Sequence, residues 1–266
     1  MNRVRNLLIG CTIVMAASVL LARVHPFGDA GLFAAKSAQA PLMEHSTVPP
    51  EARAILVAKC ADCHSSQTRS PIYGRLAPVS WLMERDILDG RKAMNLSLWD
   101  SYSVDQQSTF AAKIVQETKS HEMPLLQYRM IHWNARITDT DVRSFIQWTR
   151  GASGLAVGAM TQTAGEGDPV RGKEVYEKRC TGCHAMTQDR EGPRLQGIYG
   201  RISGRVTGFD YSPALQKAHI VWNETSLDQW LADPDTLVPG NNMEFHVANR
   251  DERRDLIKFL EHSAGK

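Results

Sequence analysis

Two short segments carry the same reactive side chains at the same spacing, Cys60-Ala61-Asp62-Cys63-His64 and Cys180-Thr181-Gly182-Cys183-His184. Two thiols separated by two residues can each form a thioether to one vinyl-derived carbon of a porphyrin, and the imidazole directly after them can turn in to ligate the iron. Other chemistry uses the same residue types. Two Cys pairs could build a structural zinc site, four thiols could close as disulfides, and a lone Cys-x-x-Cys could be a thiol redox centre. None of these requires a histidine directly after both pairs, and no βαβ pattern surrounds either one. The spacing therefore predicts two covalently bound haem c groups, attached at Cys60, Cys63, Cys180 and Cys183, with His64 and His184 on the irons.

A haem iron that only passes electrons has both axial positions filled, so each motif needs a sixth ligand. Met123 lies sixty-three residues after Cys60, and Met243 lies sixty-three residues after Cys180. Both sit in loop-like settings, His121-Glu122-Met123-Pro124 and Val238-Pro239-Gly240-Asn241-Asn242-Met243, where backbone can wrap an open haem face. Most methionines fill cores, but the equal offset marks these two as ligands. At the first haem His121 and His132 are the alternatives, and an imidazole there would give a lower potential than a thioether.

These residues must be positioned by helices, because period-two strand patterns are scarce. Each half opens with a short helix leading into its Cys pair: Glu51 to Cys60 after Pro50, and a helix capped by Asp168 with Pro169 at its first position. Each closes with an amphipathic helix. Thr138 to Asp141 is a capping box before Val142, Phe145, Ile146 and Trp148, with Gly151 as its stop, and Asn249 to Glu252 does similar work before Leu256, Ile257, Phe259 and Leu260. The halves thus form an internal repeat of about 120 residues. Gly151 to Gly167, rich in Gly, Ala, Ser and Thr, reads as a flexible linker with a root-mean-square span of about 23 Å. The expected plan is an N-terminal hydrophobic segment (1–25), a tether (26–50), a haem-binding domain (51–151), the linker (152–168) and a second haem domain (169–266).

Leu7 to Ala22 is uncharged and follows Arg3 and Arg5, the pattern of an export signal, which puts the rest of the chain outside the cytoplasm. Sixteen helical residues span about 24 Å, short of a hydrocarbon core of roughly 30 Å, which favours a cleaved signal. Against cleavage, the best small-residue site, Ala38-Gln39-Ala40, lies far beyond the apolar run and precedes Pro41. We read the segment as an uncleaved anchor, with a cleaved signal as the alternative. Cys11 follows Leu8-Ile9-Gly10 as in a lipoprotein acylation box, but the apolar run continues past it, so it reads as a membrane residue. The 266 residues are 42% hydrophobic with a formal net charge of +2, enough apolar side chains for a core in each domain and no electrostatic reason to bind nucleic acid.

From Asp168 onward the chain resembles the class I cytochromes c, in their mitochondrial-like branch. The matching residues are Gly172, Tyr176, Cys180 to His184, Gly192-Pro193, Gly200-Arg201, Gly208 to Ser212, Trp222, Trp230-Leu231, Pro239 to Met243 and Leu256 to Leu260. The resemblance implies that His184 and Met243 are the axial ligands and that the Pro193 carbonyl accepts from the other nitrogen of His184. It further implies that Arg201, Tyr211 and Trp222 hold a buried haem propionate and that Phe245 shields the exposed edge. Residues Glu51 to Gly151 resemble the haem-binding domains of bacterial cytochromes, through Cys60 to Ser65, Thr68, Pro71, Tyr73, Ala77 to Trp81, Gly90-Arg91, Asn95, Trp99, Met123-Pro124, Tyr128, His132 and Ala135-Arg136. The expected fold is all-α, two cytochrome c-like haem domains in tandem after an N-terminal hydrophobic segment.

Two functions follow from this pattern. As an electron carrier, the chain would relay single electrons on the periplasmic side of the cytoplasmic membrane between redox protein partners, a donor and an acceptor such as a reductase or oxidase. As a peroxidase-like enzyme, the first haem would bind peroxide after Met123 left the iron, with His121 and Glu122 as distal base and acid. A redox or gas sensor ranks third, because no output domain accompanies the haem motifs.

Overall fold

The computed structural model describes residues 2–34, 41–156 and 165–263. The Ala38-Gln39-Ala40 cleavage site and residues 157–164 of the expected linker lie outside the described residues. Among those residues the chain is helical, with one isolated antiparallel bridge, Ile202 to Val221, in place of any strand ladder. It divides into two compact units in tandem, with the boundary between Ser101 and Tyr102.

The first unit begins with α1 (Asn2–Leu21), whose twenty residues span about 30 Å because the turn holding Arg3 and Arg5 is helical as well. Its apolar side chains are exposed, and it is long and apolar enough to cross a membrane. Helix α2 (Pro50–Lys59) places Pro50 in its first turn, where no donor N–H is needed, and ends at Cys60. A single turn, α3 (Ala61–His64), carries the first motif, and α4 (Val79–Ala93) packs against it. Within the span expected as a tether, the described residues 26–34 and 41–50 include buried side chains. Ala30 and Leu32 are buried against Ile87 of α4, Leu42, Met43 and Val48 are buried as well, and Arg91 donates to the Ala30 carbonyl at 3.0 Å. Apolar residues without a regular period are enough to fix such a segment when a helix face is there to receive them.

The second unit contains α5 (Val104–Lys119), α6 (Leu126–Ile131), α7 (Asp139–Ala156), α8 (Pro169–Arg179), α9 (Pro213–Ala218), α10 (Glu224–Ala232), α11 (Pro234–Leu237) and α12 (Arg250–Ser263). Ser103 and Gln106 form a capping box on α5, and α5 packs on α7, with Val115 and Phe145 fully buried. The Thr138 and Asp141 box forms at the start of α7, with contacts of 2.7 and 3.2 Å. That helix passes the expected stop at Gly151 and ends at Ala156, since a glycine inside an established helix costs only about 1 kcal/mol. At α8 the Asp168 carboxylate accepts from Val170 and Arg171 N–H as expected. At α12 only half of the expected box is present: Asn249 accepts from Asp251 and Glu252 N–H, while the Glu252 carboxylate turns away to Arg179.

Helices α8 and α12 cross closely at Gly172, where a Cβ would stand 2.0 Å from the Asp255 carbonyl oxygen. The same crossing is pinned by Asp255, which accepts from Asp168 N–H at 2.7 Å and from the Arg171 guanidinium at 2.7 and 3.1 Å. Below it lies a core of Tyr176, Leu195, Trp222, Leu227, Trp230, Leu256, Ile257 and Leu260. Each such buried side chain contributes about 1.5–3 kcal/mol relative to exposure. The compact-unit boundary differs from the domain plan expected from sequence, which kept α5 to α7 with the first haem motif. Ion pairs explain the difference. Asp105 pairs with Arg179, Lys113 with Glu191 and Lys119 with Glu244, so α5 is joined to the residues around the second motif.

Candidate haem centres

The second unit holds a cavity of about 610 Å³, within the range of sites that enclose a cofactor. Helix α8 delivers Cys180 to its edge, and one further turn, closed by His184 N–H to the Cys180 carbonyl at 2.8 Å, brings Cys183 and His184 to the same wall. The His184 Nδ1 lies 2.8 Å from the Pro193 carbonyl oxygen. A carbonyl can only accept, so Nδ1 carries the proton and Nε2 keeps its lone pair for a metal. Gly192 makes this approach possible, because a Cβ there would stand 2.2 Å from the imidazole. Burial holds His184 below the usual imidazole range, which keeps the ring neutral and able to ligate. Burial also pushes Cys180 up to about 12 and Cys183 up to about 11.

Met243 lines the same cavity, on a loop whose geometry is set by the fully buried Asn241. That amide donates to the Val238 carbonyl at 3.0 Å and accepts from Met243 N–H at 2.6 Å, and the Trp230 indole N–H donates to the Met243 sulfur at 3.2 Å. Pro193, Arg201, Tyr211, Trp222 and Phe245 complete the wall, so all nine residues that the sequence assigned here stand around one cavity. Arg201 donates to the Gln196 and Arg194 carbonyls, and burial lowers its pKa and raises that of Tyr211. Two thiols, a neutral imidazole with a free Nε2, a thioether and a partly desolvated guanidinium together fit a covalently attached porphyrin with its carboxylates.

One wall of this cavity is not legible in the sequence. Thr109, Ala112, Gln116 and Glu117 of α5 line it, and Ser120 and Glu122 follow them. Thr109 packs on Gly182 between the two cysteines, where a Cβ would stand 2.4 Å from the threonine methyl. Lys119 reaches the methionine loop, donating to the Asn241 carbonyl at 2.8 Å and to Glu244 at 2.6 Å, and the Glu244 side chain is 1% exposed. Glu117 is pushed up to about 7 by burial, then by the charge of Glu122 and its hydrogen bond, and by Glu191. Burial acts upward on Glu191 too, but the Lys113 ammonium, 2.9 Å away, holds it below the usual carboxylate range.

In the first unit Cys60 ends α2, and His64 N–H bonds the Cys60 carbonyl at 3.0 Å, the same turn as in the second motif. The His64 Nδ1 lies 3.2 Å from the Met94 carbonyl oxygen, a partner the sequence did not single out. Gly90 of α4 backs the loop, since a Cβ would stand 3.0 Å from the Cys63 carbonyl oxygen. Arg91 donates to the Ser65 carbonyl at 2.8 Å and to Thr68 at 3.1 Å. Burial lowers the pKa of His64 and pushes Cys63 up to about 11. The three residues weighed as sixth ligand, Met123, His121 and His132, belong to the second unit. His121 has a left-handed backbone (φ +60°), and His132 stacks on Tyr128 with Nδ1 3.2 Å from its carbonyl. Glu122, read from sequence as a distal acid for the first haem, stands with Glu117 at the second cavity.

Two outcomes follow. Lys119→Met leaves the Glu244 carboxylate buried without its cation and is expected to destabilise the fold by about 3–5 kcal/mol in denaturant unfolding. The double variant K119M/E244Q should lose clearly less, and equal losses would contradict the ion-pair account. Glu117 binds its proton more tightly folded than unfolded, so its ionisation removes stability as pH rises from about 4.5 through about 7. Glu117→Gln should therefore gain melting temperature over wild type across that window and most above pH 7; a constant offset would contradict the assignment.

Residues 21–151 match the family described as Haem-binding domain, and residues 169–264 match the family described as Cytochrome c. Cytochrome c 2.1 of Caenorhabditis elegans is 43% identical over 103 residues, 38% of this chain and 93% of the relative. Cytochrome c of Chlamydomonas reinhardtii is 38% identical over 98 residues, 35% of this chain and 88% of the relative. The solved structure of cytochrome cH from Methylobacterium extorquens is 34% identical, with a TM-score of 0.35, covering 36% of this chain and 99% of its own. The chain is a haem cytochrome: through residues 169–264 it belongs to the cytochrome c family, and a haem-binding domain over residues 21–151 precedes that part.

Proposed function

We propose that this chain is a dihaem electron carrier that relays single electrons between redox protein partners, a donor and an acceptor such as a reductase or oxidase. The observation that carries this reading is the second cavity, which the neutral His184 and the fixed Met243 both line. A chain that supplies both axial donors leaves no iron position for a substrate. Bound haem supplies a reversible one-electron iron couple, and a thioether with an imidazole sets it at a higher potential than two imidazoles. The chain's own residues do the rest. Cys180 and Cys183 attach the group, Pro193 orients the imidazole, Asn241 holds the Met243 backbone and Trp230 its sulfur, and Arg201 offers a cation to a propionate.

The first centre takes its attachment from Cys60 and Cys63 and its proximal imidazole from His64, and we assign Met123 as its sixth ligand on the equal sixty-three-residue offset. The segment between the first motif and Met123 includes α5, which lines the second cavity and packs Thr109 on Gly182. That packing closes this edge of the second centre to a separate docking protein.

We place the haem units on the periplasmic side of the cytoplasmic membrane, held there by an uncleaved α1. Contacts at the end of α1 support retention: Ser18 donates its hydroxyl to the Ala77 carbonyl at 2.7 Å, the Trp81 indole donates to the Leu21 carbonyl at 3.0 Å, and Ala22 is fully buried. Removing residues 1–40 would expose these partners.

Carbon monoxide tests the ligand assignment because it needs an open or weakly held iron position. The difference spectrum of the fully reduced holoprotein should show no carbon monoxide complex at either haem. A complex at half the haem would mean one labile site and would favour the peroxidase-like reading.

A further inference from the structure

A cluster in the first unit shares no residue with either haem motif. His25, Asp29 and Glu84 each offer one donor atom, and the three atoms lie within 4.8 Å of one another. Glu84 sits on α4 and is completely buried, with its Oε1 2.6 Å from His25 Nδ1 and its Oε2 without any hydrogen-bond partner. A buried carboxylate with one oxygen unsatisfied is costly, and an apolar side chain of similar size would avoid that cost. Asp29 adds to the difficulty. It brings a second carboxylate to the same place.

A divalent cation resolves both problems at once. It satisfies Glu84 and offsets the repulsion between the two carboxylates. Asp29 is exposed, and its Oδ1 already accepts from Gly31 N–H at 2.7 Å, which leaves Oδ2 free to turn inward. Ligands held at about 2.0–2.2 Å from one ion stand no more than about 4.4 Å apart, so donor atoms already within 4.8 Å of one another need only a small adjustment to share an ion. One imidazole nitrogen with two carboxylate oxygens suits a first-row transition ion. Calcium and magnesium would want more oxygen donors and no nitrogen.

We propose that His25, Asp29 and Glu84 bind one divalent first-row transition-metal cation such as zinc, with water completing its shell. The ion ties the segment that follows α1 to the helix whose Gly90 and Arg91 hold the first haem loop. This inference rests on the reading that residues before Pro41 remain in the mature protein, since cleavage at Ala40 would remove His25 and Asp29.

The test uses the full-length holoprotein, stripped with a chelator and dialysed against zinc, with metal counted by mass spectrometry and the N-terminus identified by intact mass. Wild type should take up one zinc per chain in addition to its haem iron. Asp29→Asn, at an exposed position that leaves the fold intact, should weaken zinc binding at least tenfold, and His25→Ala should abolish stoichiometric uptake. No uptake by wild type, or unchanged affinity in D29N and H25A, would overturn the site with the anchor reading intact. A mature chain that begins after Ala40 would overturn both, and the intact mass separates the two cases.

Discussion

Each Cys-x-x-Cys-His loop depends on one hydrogen bond, from the imidazole Nδ1 to a backbone carbonyl behind it. In the second unit the acceptor is Pro193 at 2.8 Å, and in the first it is Met94 at 3.2 Å. That contact fixes which nitrogen carries the proton and which faces the metal. It also dictates the surrounding structure. In the second unit the imidazole can sit there only because Gly192 lacks a Cβ, and in the first a glycine serves a different approach, Gly90 letting α4 pack on the Cys63 backbone. Burial then keeps both imidazoles neutral, and the helix ending at each first cysteine sets the direction of the loop.

The second constraint is charge. The methionine loop carries Glu244, nearly inaccessible to water, and its cation comes from Lys119, more than a hundred residues earlier. A buried pair of this kind adds little net stability, but removing one partner is severe, so it fixes the position of α5 more than it strengthens the fold. Helix α5 thereby becomes a wall of the second cavity and brings Glu117 there, where burial and the neighbouring Glu122 push its carboxyl up to about 7. The second cavity is consequently built from two stretches of chain that are distant in sequence.

Much of this is legible in the amino-acid sequence. The motif spacing and the resemblance name nine residues that line the second cavity, and the caps at Thr138 and Asp168 mark true helix starts. What is not legible there has physical reasons. Lys113, Gln116 and Lys119 look like an ordinary solvated helix face, and nothing local reports a partner seventy or more residues away. Residues 26–50 look like a tether because they lack periodicity, yet scattered apolar side chains suffice when a helix such as α4 offers a face. Met94 is invisible as an acceptor because any residue can present a carbonyl. Gly151 fails as a stop because a glycine weakens a helix without ending it.

The central claim is that both motifs carry a covalently bound haem in one chain, and counting the groups tests it most directly. Intact mass spectrometry of the denatured protein should show the polypeptide plus two haems. Replacing Cys60 and Cys63 with serine should remove one, and replacing Cys180 and Cys183 should remove the other. A mass corresponding to a single haem, or haem released on denaturation, would contradict the account.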